Sequence, residues 1–127
     1  MPRFYRPSAA DVAMLTIYLI RAYDQEKGKT TTRARLSEQT LRVMGSRINL
    51  RAAFKDEWIE ELAALGWSAF PVGDHFGIIR TETTEGWVRI GSKRIRDQLQ
   101  RIHRGDVGAL AEIEKAIETP AEPDDDE

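Results

Sequence analysis

Groups that could bind phosphates and base edges are concentrated in the middle of the chain. Residues 33–55 contain six basic residues and one acid, a net charge of +5. Guanidinium groups offer the bidentate geometry that phosphates and guanine edges accept, and an asparagine amide can pair with adenine. The candidates for such contacts in and beside this stretch are Arg42, Arg47, Asn49, Arg51 and Lys55.

A second basic block covers residues 80–104, with seven basic residues against three acids. Its Ser92-Lys93-Arg94 sequence opens a predicted helix, so free backbone N–H groups and two cations would meet at one helix start. That combination favours anions, and Lys93 and Arg94 are therefore candidate phosphate contacts. The alternative is that both basic blocks are solvated helix faces with no ligand.

Catalysis has little support in the sequence. His75 lies at a predicted turn and His103 near the end of a predicted helix, and neither has the helix-spaced partner of a metal site. No lysine follows an acid by two residues, no cysteine is present, and no glycine-rich phosphate loop occurs. We predict no catalytic residue, no metal and no cofactor, and thus a protein that is not an enzyme.

The net charge of −2 is the sum of two parts of the chain with net charges of opposite sign. Residues 1–104 carry a net charge of +6, and residues 105–127 a net charge of −8. We expect one domain over residues 1–118 and a disordered acidic tail over residues 119–127. The longest apolar stretch, residues 13–20, is too short to cross a membrane, and we expect a cytoplasmic protein.

Helical spacing and caps predict three helices in the first half of the chain. Ser8 and Asp11 predict the start of the first helix, which ends at Gly28. Thr32 is a possible cap for a second helix over residues 33–44. Asn49 is a possible cap for a third helix over residues 50–65.

The second half begins with a predicted hairpin. Two strands, residues 67–72 and 75–80, flank a Gly73-Asp74 turn, and Pro71 places the first of them at a sheet edge. A further short strand is expected over residues 87–90. Two helices follow, one from Ser92 to about Arg104 and one that begins at Asp106 and stops before Pro120. The fold class is α+β and mostly helical.

Three helices followed by a hairpin is an order that resembles the winged helix-turn-helix class. The resemblance covers about residues 10–90 and rests on the order of elements. It implies that the third helix enters the major groove of DNA and that the hairpin is the wing. Together with the charges, it predicts a small winged-helix transcriptional regulator that binds double-stranded DNA. We expect it to dimerise through its apolar first helix or its C-terminal helices.

Four acids within the third helix support a different prediction. Asp56, Glu57, Glu60 and Glu61 would repel phosphates if they faced a DNA groove. The same acids could instead contact a basic protein partner. In that alternative, the scaffold binds and inhibits or assembles another protein, as a mobile-element protein does when it blocks a host nucleic-acid machine.

Overall fold

The computed structural model describes residues 5–118, and the chain divides between Trp87 and Val88 into two compact units. The first unit contains α1 (Ala9–Lys27), β1 (Arg33–Ser37), α2 (Glu38–Gly45), α3 (Ala52–Ala64), β2 (Trp67–Val72) and β3 (His75–Arg80). The second contains α4 (Arg96–His103) and α5 (Gly108–Ile117). The α+β prediction is confirmed. The predicted single domain over 1–118 spans this division, and the predicted acidic tail lies outside the described residues.

The first helix begins and ends where its sequence predicts. The Ser8 hydroxyl accepts a hydrogen bond from the Asp11 backbone N–H, and the Asp11 carboxylate accepts one from the Ser8 backbone N–H. This reciprocal cap satisfies two N–H groups that the helix leaves free. Gly28 ends α1 in the left-handed conformation, with φ of 64°.

The predicted second helix over residues 33–44 is wrong in its first part. Residues 33–37 form β1, and the helix starts only at Glu38. The Arg-Ala-Arg-Leu-Ser sequence alternates polar and apolar side chains, which is the two-residue period of a strand. Ser37, rather than Thr32, caps α2 by accepting a hydrogen bond from the Thr40 backbone N–H at 3.1 Å.

The three strands form an antiparallel sheet in the order β1-β3-β2. The hairpin prediction is confirmed, and β2, which contains Pro71, lies at an edge as expected. The predicted strand over residues 87–90 is absent, and this stretch has no regular structure. It follows a 3-10 helix over Thr81–Gly86.

The core of the first unit lies between the helices and one face of the sheet. Trp58 of α3 is fully buried and packs edge-to-face on Phe76 of β3, with ring centroids 5.1 Å apart. Its indole N–H donates to the Thr16 hydroxyl at 3.2 Å, and that hydroxyl donates to the Val12 carbonyl at 2.7 Å. These two consecutive hydrogen bonds connect α3 to α1 within the core and leave neither polar side chain without a partner.

The second unit consists of a 3-10 turn, α4 and α5. The expected helix from Ser92 is a 3-10 helix over Ser92–Ile95 followed by α4, so Ser92 is not its cap. The last helix starts two residues later than predicted, with Val107 rather than Asp106 at its N-cap position, although Asp106 accepts a hydrogen bond from the Gly108 backbone N–H at 3.0 Å. Arg101 holds this corner by donating to Asp106 and Glu112, whose carboxylates raise its pKa.

Candidate nucleic-acid interface

The candidate contacts from the first basic block lie on α2, on the turn after it and at the start of α3. Ser46 closes α2 in the left-handed conformation, with φ of 51°. The chain then reaches α3 through exposed Ile48 and Asn49. Helix α3 starts two residues later than predicted, and Arg51 rather than Asn49 occupies its N-cap position. No side chain caps α3, so its first backbone N–H groups are left without that partner.

Arg47 is turned toward the protein. Its guanidinium donates to the Pro7 carbonyl at 2.6 Å and to the Gly45 carbonyl at 2.9 Å, and it lies 3.9 Å from the centre of the Phe54 ring. Desolvation lowers the pKa of this guanidinium from its usual value. Both hydrogen bonds are donated by Nη1, so this nitrogen is not free for a phosphate or a guanine.

Glu38 holds two other candidate cations. Its carboxylate lies 3.2 Å from the Lys55 ammonium and 3.9 Å from the Arg42 guanidinium. Arg42 also donates to the Gln39 side chain at 2.7 Å. The single acid of this basic block is therefore placed where it partly neutralises two of the block's cations.

Asn49 and Arg51 are the candidates that remain exposed at the start of α3. Neither side chain forms a hydrogen bond or salt bridge with any residue between 5 and 118. Ala52 and Ala53 follow them and are also exposed, so the first turn of the helix carries only small side chains after Arg51. A ligand can approach its backbone closely there.

The acids of α3 lie on its outward face. Phe54, Trp58 and Leu62 form the buried face, whereas Asp56, Glu57 and Glu60 are exposed and Glu61 is half-buried. None of these four carboxylates pairs with a cation in the described part of the chain. From its second turn onward, the outward face of α3 is therefore acidic.

The second unit carries the other two candidates. Lys93 and Arg94 are exposed in the 3-10 turn before α4. Lys93 also lines a shallow groove of about 360 Å³ together with Arg96 and His103. This groove is lined by cations without a carboxylate.

The hairpin tip places His75 next to Asp74. Gly73 and Asp74 make the tip, which has no cation. The buried Nδ1 of His75 lies 2.8 Å from an Asp74 carboxylate oxygen but has no hydrogen-bond partner among the described residues. Within residues 5–118, no three His, Cys, Asp or Glu side chains are grouped as metal ligands.

Two exposed arginines on β1 are absent from the predicted contacts. Arg33 and Arg35 alternate along the strand, so both project from the sheet face opposite the core. The predicted helix over residues 33–44 does not place Arg33 and Arg35 on one face, so their proximity was missed. The alternation of arginine with alanine and leucine was the signal that could have revealed it.

The comparisons with known proteins give no match. No protein family, no curated protein and no solved structure is similar to this chain. In the described part of the chain, no helix combines the length and the apolar composition that a membrane span requires.

Proposed function

We propose that this chain is a winged-helix protein that binds double-stranded DNA through the start of α3 and the turn before it. The order α1-β1-α2-α3-β2-β3, with an antiparallel sheet ordered β1-β3-β2, supports a winged-helix arrangement. The observation that carries the proposal is the exposed, uncapped start of α3, where Asn49 and Arg51 have no internal partner among the described residues.

The outward acids define how such a helix would approach DNA. Asp56 lies one helical turn, about 5 Å, beyond Ala52 on the same side of α3. A helix lying along the major groove would bring Asp56 and Glu60 against phosphates. An end-on approach presents Asn49, Arg51 and the free N–H groups first, which agrees with the use of N-terminal residues in reading helices.

The contact set is therefore smaller than the sequence predicts. Arg51 and Asn49 would make the principal contacts, and Arg42 would add one if it exchanged Glu38 for a phosphate. Lys93 and Arg94 remain proposed phosphate contacts of the second unit. Arg47 would act by holding the turn in place.

A regulator of this kind would act as a dimer, and α1 is the proposed contact between copies. Met14 and Tyr18 are 57% and 71% exposed, and both line an open groove of about 660 Å³ beside Leu65 and Trp67. Large exposed apolar side chains on one helix are typical of an interaction surface. Sedimentation equilibrium of the full chain measures the oligomeric state directly.

The test is duplex binding measured by fluorescence anisotropy at several salt concentrations. We expect Arg51→Gln to weaken binding to any duplex and to lower the salt slope by about 0.9 for one lost phosphate contact. Asn49→Ala should reduce the preference for a selected site by about 1–3 kcal/mol. Lys27→Gln is the matched control, because Lys27 is exposed at the end of α1, away from the α1 groove, and forms no salt bridge within residues 5–118. Absence of salt-dependent duplex binding would overturn the proposal.

A second candidate function follows from the acidic outward face of α3. We propose, as the alternative, that this face binds a basic protein. One triple variant, Asp56→Asn with Glu57→Gln and Glu60→Gln, separates the two functions. Removal of repulsion should tighten duplex binding if α3 approaches DNA. The alternative would be favoured if the parent chain bound a stoichiometric protein partner, the triple variant did not, and neither of the two bound a duplex.

A further inference from the structure

The sheet has a second face, opposite the core of the first unit, where Ile79 and Gly77 are buried but the flanking side chains of β1 and β2 are largely exposed. Because neighbouring residues of a strand point to opposite faces, the register assigns nine positions to this outer face in three cross-strand rows. The rows are Arg33, Ile79 and Ser68; Arg35, Gly77 and Phe70; and Ser37, His75 and Val72. None of the nine carries a carboxylate.

An aromatic ring lies at the centre of this face. Phe70 is 48% exposed and packs against Gly77, the residue directly opposite it on β3. A Cβ atom at position 77 would lie 2.5 Å from the Phe70 ring, so only glycine lets the ring lie this close to the strand. The glycine thus holds the ring down on the sheet and leaves part of it open to solvent.

Two cations lie on the far side of Gly77 from the ring. Arg35 and Phe70 both pair with Gly77, from the two strands that flank β3, so their backbones are about 10 Å apart. Arg33 is two residues from Arg35 on β1, and these two arginines are about 7 Å apart along the strand. Both arginines are exposed, and neither forms a salt bridge with a residue of the described range. The charge of the face is therefore complementary to an extended polyanion.

We propose that this outer sheet face binds single-stranded nucleic acid, with an unpaired base stacked on Phe70 and with Arg33 and Arg35 on neighbouring phosphates. An aromatic platform next to cations is a general solution for single strands, because every base has a π face. A duplex keeps its bases stacked on each other and offers none to the ring. The proposal does not depend on duplex binding by α3.

The test uses the full chain and a labelled 12-nucleotide oligothymidine, with its duplex form as the comparison. We expect Phe70→Leu to weaken binding of the single strand on the order of 10- to 100-fold, because leucine still covers Gly77 but cannot stack. Phe70→Trp should retain binding, and the fluorescence of its indole should be quenched when the oligonucleotide is added. The double variant Arg33→Gln with Arg35→Gln should lower the salt slope by about 1.4.

Controls separate this site from the rest of the molecule. Trp87→Leu removes an exposed aromatic that lies outside the sheet and should leave binding of the single strand unchanged. Arg51→Gln should also leave it unchanged, and Phe70→Leu should leave duplex binding unchanged. Circular dichroism and thermal unfolding of each variant check that the sheet is intact.

Three results would overturn the proposal. A folded Phe70→Leu variant that binds the oligonucleotide as well as the parent protein would exclude stacking. If polyglutamate bound with the same affinity as the oligonucleotide, the face would attract anions in general and would not recognise nucleic acid. Equal binding of anionic vesicles, lost in the same arginine variants, would assign the face to a lipid surface instead.

Discussion

At the scale of single residues, a charged side chain can belong to the surface or to the interior, and its partners decide which. The sequence identifies Arg47 and Arg51 as equivalent candidates, four residues apart. The structure separates them, because Arg47 donates to the carbonyl of Pro7, which lies 40 positions earlier in the chain. A contact between residues so far apart depends on the complete fold and leaves no local pattern.

We expect Arg47→Gln to lower the free energy of unfolding by about 1–3 kcal/mol, because the Pro7 and Gly45 carbonyls lose a charged donor. Loss of the stacked guanidinium above Phe54 adds to the effect. Urea unfolding followed by tryptophan fluorescence measures the change. Arg51→Gln is the control and should change stability by no more than about 0.5 kcal/mol. Equal stability of the two variants would contradict the internal role of Arg47.

At the scale of elements, periodicity predicts helix faces well and short strands poorly. The spacing of Phe54, Trp58 and Leu62 is enough to identify the buried face of α3 and thereby to place Asp56 and Glu60 outward. The five residues of β1 do alternate polar and apolar side chains, but so short a repeat does not by itself exclude a helix. Their conformation depends on pairing with β3, where Leu36 lies opposite Phe76. The outer sheet face was therefore missed, although the hairpin itself was predicted.

Ser37 determines where β1 stops and α2 starts, and its removal is a test of that junction. We expect Ser37→Ala to destabilise the protein by about 0.5–2 kcal/mol, because the Thr40 backbone N–H loses its acceptor. Thermal and urea unfolding measure the loss. Ser92→Ala is the matched control, since the exposed Ser92 side chain has no hydrogen-bond partner within residues 5–118. A loss of equal size in both variants would show that the Ser37 cap does not stabilise the start of α2.

At the scale of the whole molecule, the apolar core is distributed unevenly between the two units. Within residues 5–118, every buried apolar side chain except Ala109 belongs to the first unit. The last helix and its N-cap residue leave large apolar side chains exposed, with Val107 and Ile117 more than 70% exposed. Length and composition indicate one domain, but they do not report where along the chain the burial is concentrated.

This distribution predicts different behaviour for the two parts when each is produced alone. We expect residues 1–87 to unfold cooperatively in urea, because they contain the Trp58 core and all three strands. Residues 88–127 should show only weak helicity by circular dichroism, because short helices with little buried surface are marginal in water. The full chain is the reference for both. A cooperative transition in the isolated second part, or its absence in the first, would contradict the placement of the stabilising core within residues 1–87. A midpoint in residues 1–87 close to that of the full chain would show that the second unit adds little to its stability.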